Sequence, residues 1–201
     1  MNSSSRPNYK SLLHAMTLGD GYIYHPNGSN QYSLRIRHSV AQEAYLKHKI
    51  KLLEESLGGQ ISLRRGTQNG YPFVSMSKAH PYLKYVHKNV YQPKKVLSVE
   101  ALSKLDLQGL CLWFMDDGSL SKKTTRGKPS GFEMRFCLYK SEEEIHLFND
   151  WIQDRFGLRF TAVKGKGKYL SRCGTKEARK VRDLFSPFII PSMSYKIDIP
   201  G

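Results

Sequence analysis

The 201-residue chain has only three cysteines, Cys111, Cys137 and Cys173. They are scattered, odd in number and never spaced C-x-x-C. That excludes a disulfide framework and a cysteine-based zinc site, and it implies a reducing compartment. No apolar run approaches the ~18 residues that a bilayer-spanning helix needs, so no membrane role is expected. The opening MNSSSRPNYK lacks the apolar core of a secretory signal. The expected location is a bacterial or phage cytoplasm, or the inside of a mitochondrion or chloroplast. Acidic residues are also scarce: 17 against 32 lysines and arginines, a net charge of +15.

What is present is enough apolar material, 39% of residues, for a real core in one large domain or two small fused ones. The positive charge is not a tail. Residues 1–100 carry 14 basic and 5 acidic side chains and residues 101–201 carry 18 and 12, so the halves stand at +9 and +6. Two basic surfaces of this kind suit a polyanion, whose counterions are released on binding.

The chain repeats itself once. SLLHAMTLGDGYI (11–23) and LQGLCLWFMDDGSL (107–120) are apolar segments ending in Asp-Gly, with Asp20 and Asp117 97 residues apart. SLRIRHSV (33–40) matches EMRFCLYK (133–140) at an offset of 100. Amphipathic stretches then lead to Gly58 and Gly157, and each copy closes on a basic-aliphatic pair, Lys95-Val96 and Lys196-Ile197. Landmarks recurring at offsets of 97 to 101 mark a duplicated unit.

Within each unit the pattern predicts helix, two strands, helix, two strands and a short terminal helix: an α+β chain of two pseudo-symmetric αββαββα repeats. Residues 1–10 are expected to be irregular, 11–97 to form the first repeat, 98–106 a linker and 107–201 the second repeat. Residues 11–19 read as a buried helix. Strand 31–38 alternates, with Leu34 and Ile36 inward and Arg35 and Arg37 outward. Strand 60–65 is expected to place Ile61 and Leu63 inward and Arg64 outward. In the second copy Phe132, Met134, Phe136 and Leu138 point inward and Arg135 outward. Helix 41–57 is expected to bury Ala44, Leu46, Ile50, Leu53 and Leu57, with its lysines opposite. Gly66, Asn69-Gly70 and Lys164-Gly165-Lys166-Gly167 read as hairpin turns.

Each apolar helix ends on an acid followed by glycine. Negative charge is disfavoured at a helix C-terminus, and burial adds a desolvation cost. If the two helices pack together, Asp20 and Asp117 meet at one end and repel each other. A divalent cation held by both carboxylates relieves this, and Mg²⁺ is commonly bound by carboxylates together with a substrate phosphate. Acids beside a basic cradle suit metal-assisted phosphodiester hydrolysis.

LHAMTLGDG and LCLWFMDDG resemble the nine-residue signature of the LAGLIDADG homing endonucleases, the WFMDDG form being like the branch with both repeats in one chain. The resemblance spans roughly residues 11–197. It implies signature helices at the interface, saddle-shaped antiparallel sheets on a long, nearly asymmetric double-stranded DNA site, and Mg²⁺-dependent cutting of both strands by a monomer needing no protein partner. Mn²⁺ is expected to substitute and Ca²⁺ to bind without cleavage. The motif's metal-binding acids are Asp20 and Asp117. Asp116 is a rival in the second copy, and it aligns with Gly19, which completes the candidate metal set. The family's basic residue near the scissile phosphate matches Lys95, with Lys94 as the alternative, and Lys196. Gln42 and Ser141 start matching helices and are candidates to organise water.

The residues expected to touch DNA are Arg35, Arg37, Arg64, Arg65, Gln68, Arg135, Lys164, Lys166, Lys168 and Arg172. Arginine reads guanine through two hydrogen bonds, and lysines in a glycine-rich turn hold phosphates. Two other activities remain open on the same scaffold: an RNA-splicing maturase and a DNA-binding regulator that does not cut. The histidines show no metal-ligand spacing and read as surface or packing residues.

Overall fold

The computed structural model describes residues 6–27, 29–165 and 167–199. Lys166 and residues 1–5 lie outside the described residues. In chain order the elements are α1 (Tyr9–Leu18), β1 (Tyr22–Tyr24), β2 (Ser33–Ser39), a 3-10 turn at Val40–Gln42, α2 (Glu43–Leu57), β3 (Arg64–Gln68), β4 (Tyr71–Ala79), α3 (Leu83–Val90) and α4 (Val99–Ser103). There follow α5 (Leu107–Asp117), β5 (Gly118–Thr125), β6 (Lys128–Lys140), α6 (Glu142–Phe156), β7 (Thr161–Gly165), β8 (Lys168–Gly174), α7 (Thr175–Phe185) and a 3-10 turn at Pro191–Lys196. The strands make two four-stranded antiparallel sheets ordered β1-β2-β4-β3 and β5-β6-β8-β7. The second order repeats the first, as the duplicated sequence requires.

Helix α1 starts where the Asn8 side chain accepts from the Lys10 amide, and α5 where Asp106 accepts from the Gly109 amide at 2.8 Å. Both helices are apolar nearly all round and buried, from Ser11 to Leu18 and from Gly109 to Met115. They lie side by side and parallel. Ser11 meets Gly109 at their N-terminal ends, and Gly19 meets Asp116 at their C-terminal ends. A methyl group on Gly109 would stand 2.1 Å from Ser11 Oγ, and one on Gly19 2.1 Å from Asp116 Oδ2. The close approach therefore needs both glycines.

Each sheet packs its apolar face on the helices, through Leu34, Ile36, Val74 and Met76 in the first and Met134, Phe136, Leu138 and Cys173 in the second. The opposite face of the first sheet carries Tyr22, Arg35 and Ser77 in one row and Arg37, Ser75 and Arg64 in the next.

Several local expectations change. Strand β3 begins at Arg64, not residue 60. Gly58 and Gly59 leave α2 with φ of 76° and 72°, and the Ile61 amide donates to Glu54 Oε1 at 2.6 Å instead of to a strand. Gly66 is inside β3 rather than in a turn; its missing side chain leaves room for the Phe73 ring, 2.6 Å from where a Cβ would stand. The hairpin turns at Asn69-Gly70, both with positive φ, as a two-residue hairpin loop prefers. The segment 98–106 contains the short helix α4, capped by the Ser98 hydroxyl. The buried face of α2 is Tyr45, Leu46, Lys49, Ile50, Leu52, Leu53 and Ser56, whereas Ala44 is exposed. Lys49 is thus on the inner face, and the reason lies in the acids it meets.

Candidate active site

Because α1 and α5 run parallel, Asp20 and Asp117 are brought to the same end of the helix pair, at the floor between the sheets. The Asp20 side chain is 42% exposed. Its carboxyl is held above the usual range by burial and then by the negative charge of Asp116. The Asp117 carboxyl is pushed up to about 6 by burial, Asp116 and Asp20, against the opposing hydrogen bond from Trp113 Nε1 to Asp117 Oδ2 at 2.9 Å. Neither acid is paired with a lysine or arginine among the described residues.

The two expected lysines come to this floor and bind elsewhere. Lys95 Nζ donates to the carbonyls of Gly19 at 2.8 Å and Gly21 at 2.7 Å. Lys196 Nζ donates to those of Met115 at 2.5 Å and Asp116 at 3.0 Å. Lys196 thereby satisfies carbonyls left open in the last turn of α5 and Lys95 those of the two glycines just past α1, where a cation also complements the helix dipole. Burial pulls both ammonium groups below their ordinary range, with the acids opposing. Lys94, the alternative to Lys95, makes no such contact with the helix ends.

Asp116 does something its sequence position did not reveal. Its side chain is fully buried. It accepts from Lys49 Nζ at 2.5 Å, from the Tyr45 hydroxyl at 2.7 Å and from the Asp20 amide at 3.1 Å. Lys49 Nζ also lies 3.1 Å from His38 Nε2, and His38 Nδ1 lies 3.6 Å from Asp20 Oδ2. Burial, then the Lys49 charge, lowers the His38 imidazole to about 4 and keeps it neutral. Ligating atoms of Asp20, His38 and Asp116 all fall within 4.8 Å of one another. Asp116, however, already has three donors, and Gly19 offers only a carbonyl engaged by Lys95. Gln42 lines the same recess, of about 490 Å³, as Asp20, His38 and Arg37. The Ser141 hydroxyl accepts from the Glu144 amide in a capping box at the start of α6.

The basic residues divide by face. Arg35 packs its guanidinium 3.6 Å over the Tyr24 ring, and Arg37 packs 4.1 Å over Phe73 and donates to Gln68. With exposed Arg64 they form an open cationic face. Arg65 departs from this set. It pairs across the sheet with Val74 on the helix side and donates to Glu43 at 2.6 Å. In the second sheet Arg135 and Arg172 share a row but both bind Glu133, as does Lys123 at 3.0 Å. Lys164 pairs with Tyr169, in the row of Ser171 and Cys173 that faces the helices, and so departs from the expected set as Arg65 does, whereas Lys168 alternates to the face of Arg172.

The sequence model of the LAGLIDADG DNA endonuclease family matches residues 11–181. The chain belongs to that family. Among similar proteins, a probable intron-encoded endonuclease 1 of Wickerhamomyces canadensis is 24% identical over 193 residues, covering 90% of this chain and 79% of that protein. A protein named RecA from Mycolicibacterium flavescens is 30% identical over 194 residues, covering 90% of this chain but only 44% of that protein. The chain therefore spans less than half the length of such RecA-named relatives. Among solved structures, the homing endonuclease I-WcaI bound to its DNA recognition sequence superposes with a TM-score of 0.75 at 20% identity, covering all of this chain and 90% of that one. I-SmaMI bound to uncleaved DNA with calcium superposes at 0.58 and 12% identity, covering 92% and 86%. The fold is thus that of two-repeat homing endonucleases.

In this LAGLIDADG protein the sequence reading missed His38, Tyr45 and Lys49. For His38 a signal existed, because it follows Leu34 and Ile36 in period two and so faces inward. Lys49 gave none, since a lysine among lysines on an amphipathic helix looks like solvent-facing charge.

Proposed function

We propose that this chain is a metal-dependent endonuclease that cuts both strands of double-stranded DNA at a long, nearly asymmetric site, acting as one chain. The observation that carries the reading is the pair Asp20 and Asp117. Parallel helices bring them to one end of the pair, both carboxyls are held above their usual range, and neither is ion-paired with a lysine or arginine among the described residues. Such a donor set suits a hard divalent cation with oxygen ligands, Mg²⁺ foremost. When bound, the cation lowers the cost of charge on the attacking water and on the leaving oxygen.

The chain's own residues do the rest. Asp20 and Asp117 each hold one of the two reacting centres, one per strand. Lys95 and Lys196 keep positive charge beside the scissile phosphates, where it offsets charge growing on phosphorus. Gln42 orients water in the Asp20 recess. Arg35, Arg37, Arg64 and Gln68 contact DNA from the first sheet; Lys168, Arg135 and Arg172 do so from the second. The test is a supercoiled plasmid carrying a site recovered from a randomised library, incubated with protein and Mg²⁺. A linear product supports the reading. A plasmid that shifts on a gel but stays uncut would overturn it in favour of a binding protein.

A further inference from the structure

We propose that Lys49 and His38 position the Asp20 carboxylate, and that Trp113 does the same for Asp117 by unrelated chemistry, so that each strand's reaction is tuned separately. This rests on the endonuclease reading above.

The geometry fixes the proton on His38. Lys49 Nζ is a donor with nothing to accept, and it stands 3.1 Å from His38 Nε2. Nε2 must therefore present its lone pair, which leaves the ring hydrogen on Nδ1. That hydrogen is directed toward Asp20 Oδ2 at 3.6 Å, just beyond hydrogen-bond length, with the Gln42 side chain as a second partner in the same recess. Lys49 is itself locked by Asp116 at 2.5 Å and is fully buried. The chain Asp116–Lys49–His38–Asp20 thus starts on α5 and ends on the first helix's acid. His38 then has no free lone pair for a cation, and its Nδ1 hydrogen is directed toward one Asp20 oxygen, leaving the other open. Partners of this kind, which fix a ligand's orientation, are worth about 10–100-fold in activity.

The second acid has no histidine. Leu138 stands at the position matching His38, and Asp117 Oδ2 accepts from the Trp113 indole at 2.9 Å. Trp113 is held edge-on to Phe148 at 5.4 Å between ring centres, deep in the aromatic core. One acid is restrained through a buried ion pair, the other through packing.

Two measurements test this. The first is nitrogen-15 NMR of His38 in the intact wild-type protein, assigned with His38→Ala. Signals of a protonated Nδ1 and an unprotonated Nε2 are expected. The opposite tautomer or a doubly protonated ring would overturn the proposal whether or not the protein cuts DNA. The second is strand-resolved cleavage of a plasmid that the wild type linearises. His38→Ala should slow one strand about 10–100-fold and accumulate nicked circles, with the other strand unchanged. His38→Asn, which keeps a donor near Nδ1, should restore much of the loss. Equal slowing of both strands, no slowing, or no rescue by asparagine would refute the positioning role. Failure of the wild type itself to cut would refute the endonuclease reading while leaving the tautomer measurement to judge the relay.

Discussion

Asp20 and Asp117 sit at matching ends of matching helices, yet their neighbourhoods share little. Around Asp20 the chain has assembled a titratable, ion-paired interior: Lys49, Tyr45, His38 and the partner helix's Asp116. Around Asp117 it has assembled rings: Trp113, Phe136 and Phe148. The sheets differ in the same sense. The first offers Arg35, Arg37 and Arg64 on its open face, while the second ties Lys123, Arg135 and Arg172 to a buried Glu133. Duplication preserved the backbone and the acids, and local packing diverged around them. Pseudo-symmetry here describes where atoms are needed, not how they are held.

The largest expected effect is on the feature both halves keep. Asp20→Asn and Asp117→Asn should each lower double-strand cleavage at least about a thousandfold, the several kcal/mol that metal assistance supplies, while DNA affinity stays near wild type. Gel assays of linear product and of binding check this, and full linearisation by either variant would break the equivalence of the two acids.

Next is stability. Lys49→Met strands Asp116 in the core and should cost about 3–5 kcal/mol in urea unfolding. The buried Asn149 of α6 accepts from the Ser171 hydroxyl at 2.5 Å, and Asn149→Ala should cost about 1–3 kcal/mol. Equal losses would remove the contrast between the ion-paired interior beside Asp20 and the neutral contact of α6 with β8.

Glu133 gives a pH signature. Burial raises its carboxyl, but hydrogen bonds from Lys123 and Arg135 and the nearby arginine charges outweigh that and leave it below its ordinary 4.5. The sign follows: the carboxylate's contribution is complete above that ordinary value and is lost as pH falls through the lower folded one. Glu133→Gln should therefore destabilise by about 1–2 kcal/mol at pH 7, with the difference vanishing in strong acid. The same variant frees cations on the second sheet. It should steepen the salt dependence of DNA binding by about one phosphate's worth, a slope change near −0.9. An unchanged slope would mean that these arginines already reach DNA despite Glu133.

The duplicated architecture was legible because its signals are periodic or punctuated. The two apolar helices, the Asp-Gly endings and the terminal lysines all recur at offsets of 97 to 101, and parallel packing then brings them to one place. What escaped depended on contacts between distant segments. Nothing in residues 41–57 says that Lys49 faces inward, since its reason is Asp116, 67 residues away. Residues 60–63 alternate like a strand, yet Glu54 captures the Ile61 amide and the ladder starts later. Glu133 resembled any polar residue on a sheet, and three cations had to meet it before it could be buried.

The contact of Gly19 with Asp116 also bears on how such a molecule can change over generations. A pair built from two first halves would set glycine against glycine and leave two buried lysines without a counter-charge. A pair built from two second halves would press two Asp116 side chains together, with Phe148 standing where Lys49 should answer them. Each half has become the other's obligate complement. The fusion cannot be undone by simple loss of one copy: an ancestral self-pairing form would need the glycine, the lysine and the acid to revert together.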